Sequence, residues 1–247
     1  MLCAMSRSLT HSLLSMVVPP LCIGCREPEL SGSPVCPRCA LRMEPIGPCC
    51  RRCGAPQPCA LDACPECRGR SLAFERAWAP FEYSGPAREV VLALKGRGAV
   101  HAVPYVAGAI ARRCPPGLLG GVLIPAPAHP ERMRRHGANQ AHEIAEALGR
   151  ACGLPVWDVL ARRSGGIRQV GLERHARRSN PRGEIVAGAG LGEGRRAVLV
   201  DDVYTTGSTL DACAAALRAA GSGPVTAVCF ARTGRRENPM ARDPAAA

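Results

Sequence analysis

Short apolar runs alternate with segments of helical periodicity along most of the chain beyond residue 73. Residues 197–200 (AVLV) form one such run, which is typical of a strand buried on both faces of a parallel sheet. The same reasoning predicts three more strands, at residues 77–83, 120–124 and 156–160. Apolar positions at helical spacing predict three helices, at residues 86–95, at 139–152 and from residue 210. This order predicts an α/β fold in which helices flank a parallel sheet.

A loop rich in small and hydroxyl-bearing residues follows the strand at 197–200. Asp201 and Asp202 stand at the carboxyl end of that strand, where open α/β sheets bind their ligands. The loop consists of small residues and leads into a predicted helix; these residues are Thr205, Thr206, Gly207, Ser208 and Thr209. Backbone N–H groups at a helix start bind phosphate, while paired carboxylates suit sugar hydroxyls or a hydrated Mg²⁺. The pattern therefore predicts a ribose 5-phosphate site, with a plain strand–turn–helix as the alternative.

Most of the 15 cysteines lie in two copies of one pattern near the amino terminus. Each copy has two C-x-x-C knuckles separated by ten residues: Cys22, Cys25, Cys36 and Cys39, and then Cys50, Cys53, Cys64 and Cys67. Four thiolates in two knuckles are the ligand set of structural zinc. We expect two zinc-ribbon-like sites, with a single zinc, disulfides or an iron–sulfur cluster as alternatives, and Cys49 or Cys59 as substitute ligands. Residues 21–72 contain no aromatic side chain, so metal is expected to hold this segment together.

The formal net charge is +12, and all but one of the 32 basic residues are arginine. Such an excess indicates an anionic partner, such as a phosphate, pyrophosphate or nucleic acid, unless it reflects only a GC-rich genome. Lys95, the one lysine, ends a predicted helix beside a glycine turn. Its compact ammonium suits a pyrophosphate, or else it complements the helix dipole.

Two further segments concentrate arginine. Arg132, Arg134 and Arg135 are expected in a basic loop between a strand and a helix, which would either hold a diphosphate or be a solvated turn. Residues 162–182 contain seven arginines without apolar periodicity. A segment of this length inside a compact domain predicts a lid, a nucleic-acid-binding loop or disorder.

Taken in order, several motifs resemble the ComF/GntX family. They are the tandem knuckles, LKGRG, IPAPAHPERMRRHGANQA, RQVGLERHARRSN and VLVDDVYTTGSTL. The resemblance implies an amino-terminal double zinc ribbon joined to a type I phosphoribosyltransferase domain. We therefore expect an amino-terminal segment at 1–19, the zinc module at 20–72, the phosphoribosyltransferase-like domain at 73–235 and a disordered tail at 236–247.

The resemblance also implies roles for individual residues. Asp201 and Asp202 would bind ribose at the catalytic centre, and residues 205–209 would bind the 5-phosphate of phosphoribosyl pyrophosphate (PRPP). Lys95 and Arg135 would lie near the pyrophosphate. Three residues match the flexible loop of the family: Gln169, Arg174 and Arg177. His136 stands where the family commonly has arginine, which weakens the assignment of a pyrophosphate clamp.

The implied function is Mg²⁺-dependent transfer of phosphoribosyl from PRPP to an acceptor that the sequence does not identify. One alternative is a DNA-uptake accessory protein that binds single-stranded DNA through the zinc module and the arginine-rich loop, together with other uptake proteins. Another is a PRPP sensor without turnover. The apolar run at residues 13–18 is too short to span a bilayer, so we expect no membrane span and a cytoplasmic protein.

Overall fold

The computed structural model describes residues 20–96, 98–162, 184–188 and 194–234. Within these ranges the strands are β1 (Arg76–Trp78), β2 (Phe81–Glu82), β3 (Val122–Pro125), β4 (Leu160–Arg162), β5 (Ile185–Ala187), β6 (Ala197–Tyr204) and β7 (Val225–Arg232). The helices are α1 (Pro37–Leu41), α2 (Gly85–Gly96), α3 (Val103–Arg113), α4 (Pro130–His136), α5 (Gln140–Cys152) and α6 (Ser208–Ala219), with a 3₁₀ turn at Val100–Ala102. None of these described helices is long and apolar enough to cross a membrane.

Five strands form one parallel sheet in the order β1–β7–β6–β3, and β2 follows β1 along the same edge of β7. In the registers, Leu199 of β6 lies opposite both Ile124 of β3 and Ala227 of β7. All residues of β7 and the first four of β6 are buried. Both faces of such a strand need apolar side chains, which explains the continuous apolar runs. The predicted parallel sheet with flanking helices is confirmed.

Two apolar cores lie on opposite faces of the sheet, because side chains along a strand alternate between faces. Val198 and Val200 belong to the first core, which also contains side chains of α2, α3 and α5. Ala197 and Leu199 belong to the second core, together with side chains of α6.

The cysteine-rich segment packs into these two cores. Cys22 and Cys39 are buried in the first core, as are Ile23 and Met43. The second core contains all four cysteines of the second copy: Cys50, Cys53, Cys64 and Cys67. Packing against the sheet therefore also holds this segment, beyond the metal that the sequence predicted.

Two predicted strands have different bounds in the structure. The strand predicted at 77–83 is split into β1 and β2 around Pro80, which has no N–H to donate to a ladder. The strand expected to end at Val200 continues to Tyr204, so Asp201 and Asp202 lie inside β6 instead of after it.

Two other predictions were wrong: one assigned a loop where the structure has a helix, and one placed the start of a strand too early. The basic segment around Arg134 is the short helix α4, not a loop, because His129 caps its start and Gly137 ends it with a φ of +67°. The strand predicted at 156–160 starts only at Leu160; before it, Val156 makes a single parallel bridge to Leu123.

Truncating Leu199 to alanine tests the importance of the central strand. Leu199 is fully buried, so we expect Leu199→Ala to lower the free energy of unfolding by about 2–5 kcal/mol. Leu41→Ala is the control, since Leu41 is 87% exposed and its loss should change stability by less than about 0.5 kcal/mol. Urea unfolding followed by circular dichroism measures both, and equal midpoints would contradict the packing described.

Candidate functional site

A cleft of about 270 Å³ opens at the carboxyl ends of β3 and β6. This is the edge of an α/β sheet at which ligands bind. Its polar lining comprises Lys95, His129, Asn139, Gln140, Arg162, Asp201, Asp202, Thr205 and Thr209. The cleft thus combines two adjacent carboxylates, two cations and two hydroxyl groups of the loop before α6.

Asp201 and Asp202 enter the cleft from the end of β6. The side chain of Asp202 is almost fully buried, and Oδ1 forms an ion pair with Nζ of Lys95 at 3.0 Å. Asp201 is half-buried, and its Oδ1 accepts the backbone N–H of Asp202 at 2.8 Å. A carboxylate that is this deeply buried requires a partner, and Lys95 supplies it.

Lys95 reaches the cleft from the last turn of α2. The sequence left open whether it approaches a pyrophosphate or only complements the helix dipole. The ion pair with Asp202 fixes its ammonium group at the cleft wall, beside any ligand that contacts the carboxylates. Its role toward pyrophosphate remains a prediction.

The loop at residues 205–209 turns sharply into α6. Gly207 caps the helix with a φ of +76°, a conformation that L side chains rarely adopt. Thr206 and Ser208 share a hydrogen bond between their hydroxyl oxygens at 2.9 Å, and Thr206 Oγ1 also accepts the N–H of Ser208 at 3.4 Å. Thr205 and Thr209 line the cleft itself. The start of α6 and these hydroxyls suit a phosphate, as predicted for this loop.

Four polar cleft residues were missed as site residues by the sequence analysis: Arg162, Asn139, His129 and Gln140, which begins α5 and is buried. Arg162 on β4 is mostly buried and donates from Nε to the carbonyl oxygen of Pro127 at 3.2 Å. Asn139 caps α5 and also donates from Nδ2 to the carbonyl oxygen of Ala126 at 3.0 Å. His129, the N-cap residue of α4, also lines the cleft. Asn139 was recognised as a helix cap, but its second bond depends on the fold of the turn after β3, which no spacing reveals.

The remaining predicted site residues cannot be placed in the cleft. Arg135 belongs to α4, but its side chain lies outside the described residues. Gln169, Arg174 and Arg177 also lie outside the described ranges. Their assignments stay predictions.

Both cysteine copies form compact tetrads. In each, the four sulfur atoms lie within 4.8 Å of one another, as a single metal ion requires. Cys49 and Cys59 belong to neither tetrad, which fits the ligand sets expected from the spacing. Both tetrads can therefore bind a zinc ion.

Local hydrogen bonds lower the pKa of Cys50 in the second tetrad and of Cys22 and Cys25 in the first, which favours their thiolate forms. Burial opposes ionisation of Cys50, but backbone N–H groups outweigh it and lower its pKa to about 7. The same balance, with N–H groups of Cys36, Cys25 and Gly24, lowers the pKa of Cys22 to about 6. Thiolates are the form that binds metal, so the donor chemistry fits zinc.

Residues 135–243 match the family model of the phosphoribosyl transferase domain. The chain is also 34% identical, over 120 residues, to Competence protein F of Haemophilus influenzae. That match covers 47% of this chain and 52% of the relative, so the chain spans about half the length of the curated protein it matches. Together with the two tetrads, these findings confirm the resemblance to the ComF/GntX family and the phosphoribosyltransferase-like fold.

Two solved structures are also similar to part of the chain. The PRPP amidotransferase from B. subtilis is 20% identical with a TM-score of 0.36, over 51% of this chain and 26% of that chain. Adenine phosphoribosyltransferase from Thermoanaerobacter pseudethanolicus is 17% identical with a TM-score of 0.34, over 56% of this chain and 83% of that chain.

Substituting Gly207 tests the geometry of the loop. A Cβ at this position would overlap the hydroxyl of Tyr204, in addition to the strain of its positive φ. We expect Gly207→Ala to destabilise the protein by more than the roughly 1 kcal/mol that positive φ alone costs. Gly153→Ala is the matched control, since Gly153 caps α5 with a φ of +67° and has nothing within 4 Å. Equal losses of thermal stability in the two variants would contradict the contact with Tyr204.

Proposed function

We propose that this chain, whose residues 135–243 match the phosphoribosyl transferase domain, binds PRPP with Mg²⁺ and transfers its phosphoribosyl group to an acceptor. The observation that carries the proposal is the composition of the cleft. Adjacent carboxylates at the end of β6, a hydroxyl-rich helix start and two cations, Lys95 and Arg162, line the same cleft. Sugar hydroxyls, a 5-phosphate and a pyrophosphate each find matching chemistry there.

Each group of the chain has a part in binding. Asp201 and Asp202 would accept hydrogen bonds from the ribose hydroxyls, and residues 205–209 would donate to the 5-phosphate. Lys95 and Arg162 supply positive charge on the side of α2 and β4, where the pyrophosphate would lie. Asp202 already holds the ammonium of Lys95 at the cleft. Orienting Lys95 therefore costs little conformational entropy when the ligand binds.

The residues of the cleft would promote transfer mainly by positioning and by charge. A nitrogen of the acceptor forms a bond to C1 of the ribose while the C1–oxygen bond to pyrophosphate breaks, and pyrophosphate leaves with the electron pair. Lys95 and Arg162 would stabilise the charge that develops on this leaving group. Carboxylate oxygens suit Mg²⁺, which when bound would neutralise further charge on the diphosphate.

Two other functions are the alternatives. A sensor would bind PRPP in the same cleft without releasing pyrophosphate. A DNA-uptake accessory protein would instead bind single-stranded DNA through its zinc module and its arginine-rich loop, and Competence protein F is the relative whose name favours this alternative. The cytoplasmic location also stays a prediction.

Isothermal titration of PRPP in the presence of Mg²⁺ tests the site. We expect saturable binding to the full chain and at least about a tenfold loss in Asp201→Asn, because a hydrogen bond to a charged group contributes about 1.5–3 kcal/mol. Asp62→Asn is the control, since Asp62 lies on the surface of the cysteine-rich segment with a side chain 91% exposed.

No heat of binding in the wild type, or equal affinity in Asp201→Asn, would overturn the proposal. When binding is present, a screen of acceptor bases for pyrophosphate release separates a transferase from a sensor. Single-strand affinity that falls steeply with salt, without any binding of PRPP, would favour the nucleic-acid alternative.

We further propose that each tetrad holds one structural zinc ion. Elemental analysis of the purified full chain is expected to give two zinc ions per chain. Cys25→Ser and Cys53→Ser should each remove one, because each eliminates a ligand of a different tetrad. Cys59→Ser is the control, since Cys59 is exposed and lies outside both tetrads. Iron, a single zinc ion, or an equal loss in the control would contradict this assignment.

A further inference from the structure

The second tetrad and the loop at 205–209 approach the same face of the sheet. Cys50, Cys53, Cys64 and Cys67 share the second core with Tyr204, at the end of β6, and with Leu210 of α6. The first tetrad contributes to the other core, with α2 and α3. Of the two tetrads, the second is thus the one that packs beside β6 and α6, the elements on either side of the loop at residues 205–209.

Arg232, the last residue of β7, connects the second tetrad to β6. Its side chain is only 2% exposed, and Nη2 donates to Oε2 of Glu66 at 2.7 Å. The same nitrogen lies 3.9 Å from Sγ of Cys53. The guanidinium carbon lies 4.1 Å from the centre of the Tyr204 ring, a cation–π contact. The buried guanidinium of Arg232 therefore contacts Cys53 of the tetrad, Glu66 beside it and Tyr204 at the end of β6.

The charge of Arg232 makes this contact sensitive to the state of the tetrad. Among the described residues, Nε and Nη1 of Arg232 have no hydrogen-bond partner, so Glu66 and the nearby sulfur atoms stabilise its charge. Four thiolates around one Zn²⁺ carry a net charge of about −2, which is more negative than the metal-free cysteines while most of them are protonated thiols. A buried cation beside the tetrad is therefore stabilised more when the metal is bound.

Tyr204 lies between Arg232 and the loop at residues 205–209. The ring and hydroxyl of Tyr204 lie against Gly207 so closely that no Cβ fits there. The carbonyl oxygen of Tyr204 accepts the N–H of Thr233 at 3.0 Å, which fixes the strand end beside Arg232. Tyr204 therefore contacts both Arg232 and Gly207, the N-cap residue of α6.

Residues that follow the last knuckle form a second connection. Arg70, three positions after Cys67, donates from Nη2 to the carbonyl oxygen of Thr206 at 3.1 Å. The N–H of Ala73 donates to Oδ1 of Asp211, in the first turn of α6, at 2.7 Å. The segment that follows the second tetrad therefore contacts both the loop at residues 205–209 and the first turn of α6.

We propose that zinc in the second tetrad and a phosphorylated ligand at residues 205–209 stabilise each other through Arg232 and Arg70. The inference rests on the proposed function, because it takes PRPP as the ligand of that loop. Coupling between two sites is reciprocal, so the ligand must strengthen metal retention by the factor by which the metal strengthens ligand binding.

The first tetrad is the internal control. Gly24, in its first knuckle, lies against Pro86 at the start of α2. Lys95 lies nine residues further along, roughly 14 Å at 1.5 Å per residue. This contact of the first knuckle is therefore at the opposite end of α2 from Lys95, and the first tetrad packs in the other core from Leu210 of α6.

Alkylation of cysteines in the wild-type full chain tests the proposal without altering either tetrad. The zinc-loaded protein is challenged with a chelator and iodoacetamide, with and without PRPP and Mg²⁺, and modified peptides are quantified by mass spectrometry. We expect PRPP to slow alkylation of the second tetrad by at least about fivefold, the lower range of typical couplings, and to leave the first tetrad unchanged. General stabilisation by the ligand would instead protect both tetrads alike.

A pair of arginine variants tests the route. Arg70→Met removes the bond to Thr206, and we expect it to reduce the protection of the second tetrad while both zinc ions are retained in the absence of chelator. Arg68→Met removes the same charge from an exposed neighbour and should retain full protection.

Calorimetry on the same samples separates the two proposals. PRPP binding with no protection, or with equal protection of both tetrads, would overturn this coupling while the proposed function stands. No PRPP binding would overturn both. Equal protection in Arg70→Met and the wild type would exclude Arg70 as part of the connection.

Discussion

The end of β6 is the constraint on which the rest of the structure depends. Four buried apolar residues fix this strand in the middle of the sheet, and the next four carry Asp201, Asp202 and Tyr204 to its carboxyl edge. A carboxylate as buried as Asp202 is stable there because Lys95 arrives from α2. One short segment of β6 thus places acidic groups in the cleft and the ring of Tyr204 against the loop at residues 205–209. Shifting β6 by one residue would exchange these positions between the two faces of the sheet.

The cysteine-rich segment is better understood as part of this architecture than as a separate appendage. Its two tetrads contribute to opposite cores, and Arg232 and Arg70 connect the second to Tyr204 and to the loop at residues 205–209. A short segment without aromatic residues gains apolar burial in this way, and metal bound by the tetrads would add internal order. The boundary expected near residue 72 therefore marks a change in composition, and whether the two parts fold independently remains a prediction.

Local sequence signals predicted the features that depend on spacing. The C-x-x-C pairs predicted both tetrads, and the DDVYTTGST segment predicted a carboxylate pair and a phosphate-type loop at the start of a helix. Features that depend on distant parts of the chain were not predictable. Arg162 and Arg232 look like any other arginine in a chain with many, and only folding brings them to Pro127 and Cys53. The helix α4 was missed because arginine content was interpreted as a loop signal, although His129 and Gly137 are residues that begin and end helices.

We propose that the cleft at the end of β6 holds the ribose and phosphate groups of PRPP. A crystal structure of the full chain with PRPP and Mg²⁺ would locate the ligand. We expect density for the ribose within hydrogen-bond distance of Asp201 and Asp202, with the 5-phosphate on residues 205–209 at the start of α6. Density for PRPP elsewhere on the surface, with Lys95 and Asp202 still paired beside a cleft that contains only water, would contradict it.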